Sequence, residues 1–291
     1  MSWFSYAILA AFFASLSVIL EKKTLEKVHS FDFSILLALF AACITAPVMI
    51  SAPWETLSPA LFVSIFCVSL IIAAAHFSVT KGLRHLEVSV ASPILLLTPL
   101  ITTLLAYGIL GETVSTLQML GMAVLILGLY ILETHQLSAW RDFFEHISGS
   151  EYTRYVLMGV LLYGFSSIFD RVILATYHVP PEVYVAIIQT FLAGIFLVWA
   201  CTRTGAFSSI KSTLQTHWQS ILLVAIFTTA FRTLQAHAVA LTAVGIVIAV
   251  KRSSALFTTI IGGELFHESN LLRKSIACGI MISGVYLLAI G

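Results

Sequence analysis

One segment of this sequence occurs twice. Shifted by 156 positions, the stretch from Gly82 to Tyr130 aligns without a gap with the stretch from Ala238 to Tyr286. Apolar positions match easily by chance, but the two copies also share a Thr-Thr pair, a glutamate and a closing Gly-x-Tyr in one register. Such self-similarity is the signature of a repeat architecture, and it constrains the fold more than any single motif does.

The repeat extends upstream of this segment. Residues 6–22 align with residues 155–171 at a spacing of 149, so Glu21-Lys22 corresponds to Asp170-Arg171. Loops between the aligned blocks account for the change in spacing. The sequence therefore predicts a first repeat at 1–134, a polar linker at 135–152 and a second repeat at 153–291.

Composition places both repeats in a membrane. Of the 291 residues, 59% are hydrophobic and only 10% are charged, whereas soluble domains carry about 25% charged residues. Apolar runs of about 20 residues recur, and each can cross a hydrocarbon core of about 30 Å as a helix. The first run lacks a basic n-region and a small-residue cleavage site, which indicates a retained helix. The net charge of +1 gives no information on nucleic-acid binding, and no basic tail suggests such a partner.

The cysteines carry no ligand pattern. All four lie inside apolar runs at unrelated spacings, which supports neither a disulfide framework nor a zinc site. We therefore predict no metal site and interpret the cysteines as small core residues. They are Cys43, Cys67, Cys201 and Cys278.

Ten membrane spans are predicted, five in each repeat. Because five is odd, the second repeat must enter the membrane upside down relative to the first. The predicted fold class is an all-α polytopic membrane protein with ten transmembrane helices in two inverted-topology five-helix repeats. Secondary transporters are often built this way, with a binding site near the midplane between the repeats. The spans are 3–21, 31–50, 59–80, 87–109, 115–133, 155–175, 182–202, 219–240, 243–265 and 271–290.

Lysine and arginine predict the orientation. Eleven of the 15 basic residues lie in connections that follow odd-numbered spans or within four residues of the ends of these connections, and the other four lie deeper within spans. This asymmetry places both termini outside and the 135–152 linker in the cytoplasm. The short connections and the lack of a targeting peptide favour the inner (plasma) membrane of a bacterial cell.

Motifs inside the repeat give the chain a family resemblance. The first copy carries Thr98-Pro99-Leu100 and Leu110-Gly111-Glu112-Thr113, and the second keeps Ser254-Ala-Leu-Phe and Glu268-Ser269. With these motifs the chain resembles the ten-helix drug/metabolite transporter superfamily, whose members are built from two EamA-type domains. The resemblance implies a carrier that moves a small metabolite by alternating access and has no bound cofactor.

Charges inside the spans are candidates for function, because a charge at the bilayer centre costs roughly 2.5–3.5 kcal/mol on insertion scales. Arg232 lies 13 residues into the eighth span, and its counterpart in the first repeat is His76. An arginine at this depth needs an acidic partner or an anionic ligand. Gln235 lies one turn further along the same face, so all three residues are assigned to a central cavity.

The ninth span carries two adjacent bases. Lys251 shares a helix face with Ser254 and Thr258, whereas Arg252 points about 100° away. We therefore assign Lys251 to the cavity and Arg252 to a structural ion pair, with Asp170 as a candidate partner.

The acids of the first and sixth spans have two interpretations. Glu21 and Asp170 either line the pathway and take up a coupling proton, or each neutralises a neighbouring base, which would make Arg171 part of a structural ion pair. His237 is a further proton-coupling candidate. Glu112 and Glu268 fall at span ends, where we expect each to cap the following helix. The full set of cavity candidates is Arg232, Lys251, Asp170, Glu21, Gln235, His76, Ser254, Thr258, Thr98 and Thr102.

Summing the charges gives a substrate class. The charged residues at 21, 22, 170, 171, 232, 251 and 252 carry a net charge of three positive. This sign favours an anionic or zwitterionic ligand such as an amino acid, an organic acid or a phosphorylated sugar. The predicted partners are the lipid bilayer, this small molecule and a coupling proton, and the chain is expected to work as a monomer or a homodimer.

Two other classes of protein are alternatives. A membrane-embedded lipid-modifying enzyme would need catalytic motifs, but the sequence has no HExxH, DDxxD or GxSxG. A non-transporting membrane scaffold would explain neither the intramembrane charges nor the repeat. The leading interpretation is a secondary transporter and not an enzyme.

Overall fold

The structure is a computed structural model that describes residues 2–52, 54, 57–83, 85, 94–133, 151–258, 261 and 271–291. Within these residues the chain forms ten helices of nine residues or more and no strand. Six of them are long and apolar enough to cross a membrane on their own. The helices are α1 Trp3–Leu25, α2 Ser30–Ile50, α3 Pro59–Leu83, α4 Thr98–Leu110, α5 Thr116–Glu133, α6 Glu151–Arg171, α7 Pro181–Cys201, α8 Ala206–Leu241, α9 Val244–Arg252 and α10 Leu271–Ile290.

The predicted all-α fold is confirmed, but two spans differ from the prediction in a matched way. The described part of the fourth span, predicted at 87–109, is interrupted at Leu97. The described part of the ninth span, predicted at 243–265, is interrupted at Ser253. Leu97 and Ser253 are 156 positions apart, so they are equivalent positions of the repeat. Both repeats therefore break the same helix at the same place.

The chain folds into two compact units, and each takes helices from both repeats. The first unit contains Met1–Leu70 and Val172–Leu241, and the second contains Ile71–Arg171 and Thr242–Gly291. The chain therefore passes from one unit to the other three times. The first passage lies within α3, the second directly after α6 and the third between α8 and α9.

In the first unit, α1 and α8 pack antiparallel. Near one end of the pair the rings of Tyr6 and His237 stack with their centroids 4.8 Å apart. Further along, the hydroxyls of Ser17 and Thr228 are 2.7 Å apart. Since the number rises along α1 as it falls along α8, the two helices run in opposite directions. Helix α2 packs against both α7 and α8.

In the second unit, two helices pack against their own repeat equivalents, α5 against α10 and α4 against α9. Gly128 of α5 lies against Met281 of α10, and Gly284 of α10 lies against Leu125 of α5. The two glycines are equivalent positions, and so are Leu125 and Met281. The two contacts are therefore copies of one another in an antiparallel pair, as inverted repeats require, and the predicted inversion is confirmed.

Helix α8 is longer than the eighth predicted span and begins 13 residues before it, at Ala206. This polar extension is held by Asp32 in the first turn of α2, whose side chain is almost fully buried. Its Oδ2 accepts hydrogen bonds from Ser209 Oγ at 2.5 Å and from Thr213 Oγ1 at 3.3 Å. Hydropathy locates the edge of the membrane and not the end of a helix, which is why the predicted boundary was wrong.

The interpretation of the cysteines as core residues is wrong. Cys43, Cys67 and Cys201 are exposed on the protein surface, and Cys278 is partly exposed. In a membrane protein the apolar helix faces can remain in contact with lipid, so an apolar run does not imply burial inside the protein.

Candidate functional site

The two helix breaks meet in the second unit, where α4 and α9 pack antiparallel. Arg252 Nη2 donates a hydrogen bond to Thr98 Oγ1 at 2.8 Å. Thr98 in turn donates its hydroxyl proton to the carbonyl oxygen of Leu95 at 2.6 Å, which leaves its lone pairs for Arg252. At the other end of the contact, Gly245 lies directly against Thr103. The last residue of α9 is thus tied to the first residue of α4.

This meeting point favours negative charge. Helix α4 begins there, and the free N–H groups of a helix N-terminus carry a partial positive charge. The bases Lys251 and Arg252 end α9 at the same level and are partly buried. The positive end of α4 and the negative end of α9 oppose one another, so the two cationic side chains decide the sign of the local field.

The second unit also contains most of the predicted cavity residues. Thr102, one turn after Thr98, is fully buried, and its hydroxyl has no hydrogen-bond partner among the residues that the structure describes. Thr258 Oγ1 donates to the carbonyl oxygen of Ser254 at 3.0 Å. Asp170 and His76 are partly buried in the same unit.

Glu112 has a different role from the predicted one. Its Oε1 lies 2.6 Å from Arg171 Nε, and its Oε2 accepts the N–H of Val244 at 3.2 Å. It therefore caps the start of α9 and not the following helix α5. Ser115 caps α5 instead, because Gln118 N–H donates to Ser115 Oγ at 3.1 Å and Ser115 N–H donates to Gln118 Oε1 at 3.0 Å, a reciprocal capping box.

This ion pair changes the sum of the intramembrane charges. Glu112 side-chain exposure is only 14%, and that of Arg171 is 21%, so the carboxylate belongs in the sum. Adding it lowers the total from three positive to two positive. The excess of positive charge remains, but it is smaller than the sequence predicted. Glu268, the counterpart of Glu112, and the side chain of Lys22 lie outside the described residues.

The remaining candidates lie in the first unit. Glu21 is one turn from Ser17 on α1, and Arg232 is one turn from Thr228 on α8. The helices are antiparallel and Ser17 faces Thr228, so Glu21 lies one turn to one side of this contact and Arg232 one turn to the other side. Glu21 and Arg232 are therefore about 11 Å apart along the helix axes. In the described part of the chain, Arg232 Nε and Gln235 Oε1 are buried and have no hydrogen-bond partner.

His237 lies near the end of α8, in contact with two other helices. Its Nε2 is 2.9 Å from Glu182 Oε1 in the first turn of α7, and its ring stacks on Tyr6 of α1. The Glu182 side chain is 47% exposed, which places this pair at the surface of the unit. Sequence reasoning missed Glu182, although its position directly after Pro180-Pro181 marks a helix start. A role of His237 in proton transfer stays a prediction.

The described residues contain no group of three His, Cys, Asp or Glu side chains that would hold a metal ion. The polar side chains that the structure places at the helix breaks are the hydroxyls of Thr98 and Ser254 and the bases Lys251 and Arg252. This donor set suits a small polar ligand that is bound by hydrogen bonds and charge.

Two five-helix repeats with matched helix breaks and buried charges define a multi-pass membrane transporter. The sequence model of the EamA-like transporter family matches residues 1–134 and 154–290, so the chain belongs to this family and is an integral membrane transporter of small molecules. The predicted resemblance is thereby confirmed. The chain is also similar to a protein of known crystal structure, with a TM-score of 0.72 and 13% identity over 99% of this chain and 95% of that chain. That likeness concerns the fold alone. No curated protein matches the chain.

Proposed function

We propose that this transporter is a secondary carrier of a small anionic or zwitterionic metabolite, such as an amino acid, an organic acid or a phosphorylated sugar. The carrier works by alternating access, and the ligand binds between the repeats where α4 of the first repeat meets α9 of the second. The proposal includes a bacterial inner membrane, both termini outside and a monomer or homodimer as the working form.

The matched breaks at Leu97 and Ser253 carry this proposal. Each break is a single tight turn, in which Leu97 N–H donates to Ile94 C=O and Ser253 N–H donates to Val250 C=O, and irregular turns inside a helix are frequent at functional positions. Transporters place such breaks at the substrate site, near the midplane and at the interface of inverted repeats. Here both breaks occur at equivalent positions, and the Arg252–Thr98 hydrogen bond joins them.

Charge supports the substrate class. Lys251 and Arg252 lie at the break beside the N-terminus of α4, and this local field attracts anions. On α8, the buried Arg232 Nε and Gln235 Oε1 have no partner among the described residues. A buried donor without a partner costs free energy that a bound ligand or water recovers. A lipophilic cation would add to the positive charge and bind poorly.

A coupling proton and the absence of catalysis belong to the same proposal. Asp170, Glu21 and His237 remain the proton-coupling candidates, and we expect their neutral variants to lose the pH dependence of transport. No catalytic motif accompanies the breaks, so an enzymatic role is the weaker alternative.

Thermal stabilisation tests the substrate class. The detergent-purified protein is heated with amino acids, organic acids, sugar phosphates, nucleotide sugars and quaternary amines, beside the variants Lys251→Ala and Arg232→Ala. A ligand that binds only the folded state raises the melting temperature by mass action. We expect an anion or zwitterion to raise it in the wild type and not in Lys251→Ala.

Lys211→Ala is the matched control, because Lys211 is an exposed base in the polar extension of α8. Its response to the ligand should equal that of the wild type. Stabilisation by quaternary amines alone, equal in all variants, would contradict the proposed substrate class.

A further inference from the structure

We propose that Glu112 is a positioning residue of the transport cycle. Its side chain binds residues beside two of the three segments in which the chain passes between its compact units. The proposal rests on the proposed function for its transport measurement only. It concerns a residue that contacts neither the helix breaks nor the cavity candidates of α8.

The geometry of one carboxylate carries the inference. Glu112 Oε1 holds Arg171 at 2.6 Å, and Glu112 Oε2 holds the N–H of Val244 at 3.2 Å. Arg171 is the last residue of the second unit before the chain passes into the first. Val244 lies two residues after the chain returns at Thr242. One side chain thus fixes the residues beside both connecting segments.

Both connecting segments depart from regular helix. Residues 172–176, directly after Arg171, form a π-helical turn, a rare conformation that is frequent at functional positions. His178, just beyond it, has a φ of 52°, a left-handed backbone conformation that residues other than glycine rarely adopt. The start of α9 has no side-chain cap of its own, because its N-cap residue Ala243 offers no hydrogen-bond acceptor. Glu112 therefore adds a tertiary contact beside each segment, in addition to the backbone hydrogen bonds from Tyr177 N–H to Val172 and from Val247 N–H to Ala243.

A carrier that alternates access must move some of its parts, and a few residues at element ends absorb that movement. Any shift of the end of α6 relative to the start of α9 must break one of the two Glu112 contacts. Since both contacts use one carboxylate, the two segments are constrained to move together. Glu112 thereby controls the rate of the cycle and not the affinity for the ligand.

Three variants separate the two contacts. Glu112→Gln keeps an amide oxygen for the N–H of Val244 but loses the charge pair with Arg171. The double variant Glu112→Arg with Arg171→Glu restores a charge pair but removes the acceptor for Val244. Glu112→Ala removes both. Glu151→Gln, which removes an exposed carboxylate in the first turn of α6, at the end opposite Arg171, is the matched control.

Hydrogen exchange of the full-length protein in nanodiscs is measured first, because it needs no ligand. We expect Glu112→Gln to speed exchange at least tenfold in residues 172–177 and to leave residues 244–248 protected. The double variant should speed exchange in residues 244–248 and leave residues 172–177 protected. Glu112→Ala should speed exchange in both segments. The control should leave both unchanged. Equal protection of both segments in the wild type and in folded Glu112→Gln would overturn the proposal, whatever the substrate is.

Transport kinetics follow with any ligand that stabilises the protein. We expect Glu112→Gln to lower kcat about tenfold and to leave KM within twofold, with partial recovery of kcat in the double variant. A change in KM alone would place Glu112 in contact with the ligand and overturn the positioning role. If no ligand is transported by the wild type, the proposed function fails, while the exchange result still decides whether Glu112 ties the two segments.

Discussion

Replacing Gly284 by alanine tests the packing of the inverted repeats most sharply. A Cβ at this position would lie 2.6 Å from the backbone nitrogen of Leu125, 2.8 Å from its Cα and 2.9 Å from the carbonyl oxygen of Gly121. All three are backbone atoms, so no side-chain rotation relieves the clash and α5 and α10 must separate. Overpacking of this kind costs about 1–3 kcal/mol, and the better helix propensity of alanine offsets about 1 kcal/mol of it.

We therefore expect Gly284→Ala to lower the free energy of unfolding by up to about 2 kcal/mol. The control is Gly279→Ala on the same helix, where a Cβ meets no atom within 4 Å and where we expect a gain of up to about 1 kcal/mol. Gly128→Ala should behave like Gly284→Ala, since its Cβ would lie 2.7 Å from Met281 Cγ and 2.9 Å from Met281 N. Unfolding is measured in mixed micelles with increasing SDS. A Gly284→Ala protein as stable as Gly279→Ala would refute the antiparallel contact.

Four further predictions follow from individual contacts. Thr98→Val should weaken ligand binding about tenfold in a thermal-shift titration by removing the acceptor for Arg252, a loss of about 1.4 kcal/mol, while Thr98→Ser should bind normally. Asp32→Ala should lower the free energy of unfolding by about 1.5–3 kcal/mol, the worth of hydrogen bonds to a charged group, and Asp32→Asn should lose less. Glu182→Gln should cost less than about 1 kcal/mol in the same assay, because exposed ion pairs contribute little, and a larger loss would mean that the His237 contact is buried in the working protein. The hydrogen bond with Tyr155 raises the pKa of Lys81 above its usual value of 10.5. This contact therefore stabilises the fold fully below pH 10.5 and is lost only as the pH rises through the raised pKa. Because pH 6 and pH 9 both lie below this range, Tyr155→Leu should change the melting temperature equally at the two values.

The architecture was predictable because it follows from the number of membrane spans in each repeat. Five spans per repeat fix the inversion, and the antiparallel contacts of Gly128 and Gly284 are its direct consequence. The fourth and ninth spans were predicted as continuous helices because Leu97 and Ser253 are not helix breakers by type, and Pro99 has no counterpart in the second repeat. Pro99 in the first turn of α4 is a local signal for the first break, whereas the second repeat has Ala255 at this position.

Partners distant in sequence were the hardest to predict. Glu112 and Arg171 are separated by 59 positions, and the sequence offered nearer partners for each. The recurrence of the glutamate at Glu268 was the available signal that the position matters. Arg252 was predicted to be structural, and its hydrogen bond to Thr98 places it at the helix breaks, where its role in ligand binding stays a prediction.

Uptake into proteoliposomes tests the central claim most directly. The ligand that stabilises the purified protein is supplied outside vesicles that contain the wild type, Lys251→Ala, Arg232→Ala or the control Lys211→Ala. We expect uptake by the wild type and by Lys211→Ala, and a rate at least tenfold lower in the other two variants, which corresponds to about 1.4 kcal/mol. Equal uptake by Lys251→Ala and the wild type, or uptake of cationic amines alone, would contradict a positively charged site at the helix breaks, and equal uptake by Arg232→Ala would contradict the proposed role of Arg232 in the first unit.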